Sequence, residues 1–415
     1  MKTPNLYKGT SHYRSMRILY IMLALPLILS LPEYEFGHSD QVIILVLDGA
    51  DPSVFSLAGV PLEGECQAVF PSMTSPGHVS LLTGVYPSRH GILANEYNDN
   101  KKTVGYTPDM IEAETLFDIL IENGKKGVFI SGKIGLAAFA GAKANLSVSP
   151  AVYPVYAAEP PDDPYGLTRW IFETLEEINE REHPDFICIN VPILDEFGHA
   201  YGPQSKETKE AVQLVQSLIT TLRNSLDEGT TLIVTADHGM SAVSRAVPIH
   251  VLLRNAGYET WPLHVGRCAF LYGVEEGVEE FVLDQKGVKD VILPEDYSKY
   301  HINHERAPDL IVLADKDYLF IPEPLLKNYK GMHGSFDEQD IPLYMMGSGI
   351  PEGYTACSLV DIAPLVCHLL DLDTDLVFDG TIPRVEEKKA QEAEGYIVFV
   401  LAGIVLYLFM RSRAS

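Results

Sequence analysis

Short, uniformly apolar runs alternate along this chain with longer amphipathic ones. QVIILVLDG (41–49), GVFIS (127–131), DFICINV (185–191) and TTLIVTAD (230–237) are near-continuously apolar, which predicts strands covered on both faces. AETLFDILIENG (113–124), LTRWIFETLEEINERE (167–182) and KETKEAVQLVQSLITTLRNSLDEG (206–229) place apolar residues at helical spacing, the last ending at a Gly stop. Strand and helix in alternation predict an α/β fold, a mostly parallel central sheet with helices on both faces. From about 246 to 324 the texture changes. CAFLYG, VKDVILP and DLIVLADKDYLFI read as short strands around one helix, VEEGVEEFVLDQKG, which predicts a small α+β cap insertion. The core resumes with SLVDIAPLVCHLLDL (358–372), so the main folded body is expected over 41–372.

Both ends are apolar. ILYIMLALPLILSLP (18–32) carries no charge and follows Lys2, Lys8, Arg14 and Arg17. It reads as a signal peptide or signal anchor, and no A-x-A-like cleavage site follows, which favours a retained anchor. GYIVFVLAGIVLYLFM (395–410) reads as a transmembrane helix, reached through the charged linker 385–394 and followed by Arg411 and Arg413. With the positive charge outside both runs, 1–17 and 411–415 are expected as cytoplasmic tails. The body between them is expected to be membrane-anchored and extracytoplasmic.

Charge narrows the partners. The chain has 57 Asp and Glu against 31 Lys and Arg, a formal net charge of −26. Such a surface repels phosphate backbones, so no nucleic-acid polymer is expected. No stretch marks a protein partner. A small anionic substrate would need cations placed locally, as metals or single Lys or Arg residues. The five cysteines are odd in number and lack C-x-x-C spacing, which excludes a full disulfide framework and allows at most two bridges.

Chemistry-bearing residues collect at the C-terminal ends of the predicted strands, the edge where open α/β sheets bind ligands. Asp48 ends the first. Asp195 and His199 (ILDEFGHAYG) follow the third, Asp237 and His238 (TADHGM) the fourth, and His333 lies in the Gly-flanked KGMHGSFD. Taken singly, each has an ordinary explanation as a turn, cap or loop residue. Together they divide into two mixed sets: Asp195, His199 and His333, and Asp48, Asp237 and His238. Asp and His donors without Cys suit zinc, with Mn²⁺ or Fe possible. Two such ions clamp the attacking and leaving oxygens of an in-line displacement. Thr74, in PSMTSPGH (71–78), has two compatible roles. It opens a helix, and a hydroxyl held by a metal there becomes a nucleophile beside free N–H groups suited to a phosphoryl oxygen.

The order of VLDGA, FPSMTSPGHVSLLTGVYPSRHGILANEYND, LDEFGHAYGP, TADHGM and GMHGSFD resembles the alkaline phosphatase superfamily, most closely its type I phosphodiesterase/nucleotide pyrophosphatase branch. The resemblance covers about 41–372. It implies that Asp48, Thr74, Asp237 and His238 hold one zinc, with Thr74 the transiently phosphorylated nucleophile. Asp195, His199 and His333 would then hold the second, which activates water. Asn95, in ILANEY, matches the position whose amide steadies a phosphoryl oxygen. Two departures stand out. Ser-Pro-Gly-His replaces a frequent Phe-Pro-Asn-His, removing an aromatic that packs substrate. Lys133, in FISGKIGLA, matches a lysine of related phosphomonoesterases and phosphonate hydrolases that grips a terminal phosphate.

The expected activity is therefore two-metal hydrolysis of phosphodiester or pyrophosphate bonds in a nucleotide or similar small phosphorylated substrate. Alternatives on the same scaffold are a phosphomonoesterase or phosphonate hydrolase, and a lipid-headgroup phosphotransferase. A metal-free binding module is the non-enzymatic alternative. No C-x-P-x-R or S-x-P-x-R stretch supports sulfatase chemistry.

Overall fold

The computed structural model describes residues 35–322 and 329–387. The expected N-terminal anchor (18–32), terminal span (395–410) and both tails lie outside these residues, as does the linker beyond 387. Among the described residues no helix is long and apolar enough to cross a membrane. Phe36–Pro351 and Thr355–Pro383 form one compact unit; the remaining described residues belong to a second.

The large unit is organised around β1 (Gln41–Leu47), β2 (Leu62–Gln67), β3 (Gly127–Ser131), β4 (Leu146–Val148), β5 (Phe186–Val191), β6 (Thr230–Thr235), β7 (Asp340–Gly347) and the part from Thr355 onward of β8 (Gly353–Ser358). In space their order is β8-β2-β7-β6-β1-β5-β3-β4. β1 pairs in parallel with both β5 and β6, and β3 with both β5 and β4. The four apolar runs are thus a parallel core, fully buried from Val42 to Leu47 and from Phe186 to Val191. β7 is a difference from the sequence pattern: it enters antiparallel between β2 and β6.

Register places the site. Val46 pairs with Asn190 on one side and Thr235 on the other, so the chain leaves β1, β5 and β6 at one common edge. Helices cover the sheet: α1 (Thr74–Thr83), α2 (Pro164–Glu182), α3 (Ile193–Tyr201), α4 (Lys206–Ser225) and α5 (Ile362–Leu369). α2 begins three residues before its apolar pattern. Asp163 caps it by accepting from the Gly166 N–H, and Pro164 fits the first turn. α4 begins where the pattern does, with Ser205 accepting from the Thr208 N–H.

A second sheet, in the same compact unit, runs Trp261–Val265, Cys268–Tyr272, Leu310–Ala314, Val288–Ile292 and is antiparallel throughout. One face packs on Ile249, Leu253, Val278 and Val282 from two short helices. The other packs on Phe70, Met73, Leu93 and Ala94, which flank Thr74 and Asn95 in sequence. The run DLIVLADKDYLFI is two strands, because Asp317 turns the chain at φ +68° between Ala314 and Tyr318.

Candidate active site

Asp48 follows β1 directly, Asp237 lies two residues past β6, and Asp195 sits in the first turn of α3 just beyond β5. Gly49 lets these elements meet. Its φ is +72°, and a Cβ there would lie 3.0 Å from the Asp195 Cα. α3 then presents Asp195 and His199, four residues apart, on one face, with His199 Nε2 3.1 Å from Asp195 Oδ1. His333 comes from the loop before β7, its Nε2 3.6 Å from the same oxygen.

Thr74 is the first residue of α1, not its cap; Met73 holds that position and makes no side-chain bond to the helix. The Thr74 hydroxyl is therefore free of capping duty and faces the cluster, 3.3 Å from His238 Nε2. Gly77 brings the helix close: a Cβ would lie 2.7 Å from the Asp237 carbonyl oxygen. That contact gives a local reason for glycine in PSMTSPGH.

The three imidazoles are oriented alike. His199 Nδ1 donates to the Gly331 carbonyl (2.9 Å), His238 Nδ1 to that of Gly239 (2.9 Å), and His333 Nδ1 to that of Ser72 (2.8 Å). Each donation fixes the tautomer and turns the Nε2 lone pair inward. Burial, then the neighbouring His238, holds the His333 imidazole well below its ordinary pKa and hence neutral. The rings of His238 and His333 stack at 3.6 Å between centroids.

Acceptors thus face acceptors. Asp48 Oδ1, Asp195 Oδ1 and Asp237 Oδ2 are buried without a hydrogen-bond donor. Three buried carboxylates, those of Asp48, Asp195 and Asp237, have one lysine ammonium among them, that of Lys133. Burial, then the nearby Asp237 carboxylate, pushes the Asp48 carboxyl above its usual range. Burial also works against an ionised Asp195, yet Lys133 and His199 hold it well below that range. Donors lie close enough for cations in two groups: Asp195, His199 and His333, and Asp48, Asp195 and His238. Asp237 borders the second group, its Oδ2 3.6 Å from His238 Nε2. Oxygen and nitrogen donors with unmatched negative charge fit divalent cations.

Lys133 and Asn95 join this cluster from the loops after β3 and before residue 96. Lys133 Nζ lies 2.8 Å from Asp48 Oδ2, 2.9 Å from Asp195 Oδ2 and 3.5 Å from Thr74 Oγ1. Burial opposes its charge, but Asp195 and Asp48 outweigh this and raise its pKa. Asn95 Oδ1 accepts the Ser75 N–H at 2.8 Å, which leaves the amide N–H₂ as a donor at the rim. Thr74, Ser75, Asn95 and Lys133 open into a cavity of about 360 Å³ walled by Tyr106, Leu136 and Phe139.

The model of the type I phosphodiesterase/nucleotide pyrophosphatase family matches residues 42–336, most of the chain and all the clustered residues. The chain belongs to this family. It is 23% identical over 342 residues to human ectonucleotide pyrophosphatase/phosphodiesterase family member 1, covering 73% of this chain but only 36% of that relative. Among solved structures, a murine ectonucleotide pyrophosphatase/phosphodiesterase 5, an inactive form in complex with AMP, superposes with a TM-score of 0.66. It is 20% identical, covering 83% of this chain and 98% of that one. Phosphonoacetate hydrolase from Sinorhizobium meliloti in complex with phosphonoformate gives 0.65 at 18% identity, over 78% of this chain and 94% of that one. These likenesses show a shared fold, consistent with an alkaline phosphatase-like sheet.

In this phosphodiesterase-family chain the sequence reading leaves out two supporting residues, Asn190 and Ser131, and gives His78 no catalytic part. Asn190 Nδ2 donates to Asp48 Oδ2 at 2.6 Å, and its Oδ1 accepts from Ser131 Oγ at 3.1 Å. His78 is fully buried, its Nδ1 2.9 Å from the Thr74 carbonyl and 3.3 Å from Asp237 Oδ2. An Asn within the otherwise apolar FICINV was the available signal, since a polar side chain in a doubly covered strand needs a partner.

Proposed function

We propose that this protein hydrolyses phosphodiester or pyrophosphate bonds of small phosphorylated substrates, nucleotides among them, with Thr74 as nucleophile. One observation carries the reading: the Thr74 hydroxyl, uncommitted to its helix, lies within 3.5 Å of His238 and Lys133 at the mouth of a cavity. Asp48, Thr74, Asp237 and His238 would hold one divalent cation and Asp195, His199 and His333 a second. Their donor set favours zinc. Bound there, the cations supply Lewis-acid neutralisation of phosphoryl charge.

The chain's own residues account for the rest. Thr74 Oγ attacks phosphorus, and the alcohol or phosphate on the far side leaves with a proton. The remaining phosphoryl ester stays on Thr74 until water displaces the threonine oxygen and releases a phosphate monoester. The Asn95 amide donates to a non-bridging oxygen, while its Oδ1 stays tied to the Ser75 N–H. Asn190 and His78 keep Asp48 and Asp237 in place. We take 41–372 as the catalytic body, with 246–324 as its cap. The apolar runs 18–32 and 395–410 support a membrane anchor with this body extracytoplasmic, as do relatives named ecto-enzymes.

The test is turnover of bis-p-nitrophenyl phosphate, a thymidine 5′-monophosphate nitrophenyl ester and p-nitrophenyl phosphate with zinc added. A phosphoryl adduct on Thr74 in quenched reactions, carrying the retained ester group of a diester, supports the mechanism; full activity in Thr74→Ala sinks it. Lys133 favours one second reading, a phosphomonoesterase or phosphonate hydrolase. An ammonium 3.5 Å from the nucleophile suits the extra charge of a terminal phosphate.

A further inference from the structure

Away from the active site, two cysteines stand side by side. Cys357 donates its S–H to Cys66 Sγ across 3.2 Å. Cys66 lies on β2 and Cys357 on β8, and these strands are neighbours in the sheet. Adjacent strands run about 4.7–4.9 Å apart, and disulfides span Cα separations of roughly 4.4–6.8 Å. The sulfurs lie 3.2 Å apart on neighbouring strands, within reach of one another for a bond. The other three cysteines occupy separate places. Cys268 donates its S–H to the Gly334 carbonyl, Cys188 lies within β5, and Cys367 lies on α5.

We propose that Cys66 and Cys357 form a disulfide by exchange with an oxidised disulfide compound. Cys357 is half-buried and Cys66 is only 1% exposed, so Cys357 is the thiol an incoming reagent meets. Its thiolate attacks one sulfur of the reagent, expelling one reagent thiol and leaving a mixed disulfide. The Cys66 thiolate then displaces the second reagent thiol and forms the Cys66–Cys357 bond. Two protein thiols are oxidised, one reagent disulfide is reduced, and the two protons leave with the reagent thiols. The bond joins residues 291 apart in sequence, a long loop whose closure restricts the unfolded chain strongly. It would also fasten β2, the strand that leads through 68–73 into Thr74.

Formation in cells rests on the extracytoplasmic placement; the capacity to pair does not. Wild-type protein is alkylated under denaturing conditions and digested without reduction, as isolated and after incubation with oxidised glutathione. A Cys66–Cys357 linked peptide, and a Tm lowered by reductant in wild type but not in Cys357→Ser, support the proposal. Five alkylated cysteines after glutathione treatment, or a link to any other cysteine, overturn it. A link that forms with glutathione but is missing from protein taken directly from cells upholds the pair and refutes the extracytoplasmic placement.

Discussion

The backbone N–H of Arg267 donates to the carbonyl of His333 at 2.9 Å, so the turn between two strands of the antiparallel sheet holds a candidate metal ligand. The same residue's buried guanidinium reaches Glu338, Asp337 Oδ2 (2.8 Å) and Ser335 Oγ (3.2 Å), gripping the rest of that loop. Arg267→Met leaves Glu338 buried and unpaired, and is expected to destabilise the protein by roughly 3–5 kcal/mol in urea unfolding. Adding Glu338→Gln should recover most of that loss. Metal content per chain, measured by elemental analysis, should fall in the single variant because the loop that carries His333 loses its grip at Ser335, Asp337 and Glu338, although the backbone bond to His333 itself remains.

Asn95 presents its amide because the Ser75 N–H occupies its oxygen. Asn95→Ala removes the donor and is expected to lower kcat by about 100- to 1,000-fold. KM should move far less. Asn95→Asp should be at least as slow, since a carboxylate at that rim repels the phosphoryl oxygens.

Lys133 pairs with Asp48 and Asp195, so Lys133→Ala has two expected effects of opposite sense. Zinc should bind more tightly, because a competing cation is gone. Monoester turnover should drop roughly 10- to 100-fold more than diester turnover, the worth of one charged hydrogen bond. Equal losses on both substrates would assign Lys133 to general charge balance alone.

His90 gives a pH dependence. Its Nδ1 accepts the Ile92 N–H at 3.1 Å and its Nε2 pairs with Ser80 Oγ at 2.8 Å. Burial, then the charge of His304, lowers its pKa from 6.5 to about 3. The folded protein thus refuses a proton that the unfolded chain takes up below pH 6.5. Its contribution is intact above 6.5 and lost as pH falls toward 3, at up to about 1.4 kcal/mol per pH unit. Urea unfolding at pH 6 and 5 should show a slope shallower by about one proton in His90→Asn.

The parallel core was legible because strands covered on both faces read as unbroken apolar runs, QVIILVL and FICINV above all. β7 was not, since DIPLYMMG opens on an acid and a proline and depends on distant β2 and β6 for its place. Asp48, Asp195 and Asp237 were legible as strand-end acids. Their partner Asn190 was hidden, because its meaning comes from a cross-strand approach to β1 that no local pattern records. Lys133 was legible only through its resemblance to a phosphate-gripping lysine, and the register of β3 beside β5 brings it between two carboxylates.

Asp195 belongs to both groups of donors. In the seating proposed it serves only the second ion, yet its donor oxygen also lies beside those of Asp48 and His238, so neither ion could be added or lost without the other responding. Titration with zinc should then follow a coupled curve, not two independent ones. The first ion to arrive would set the grip available to the second.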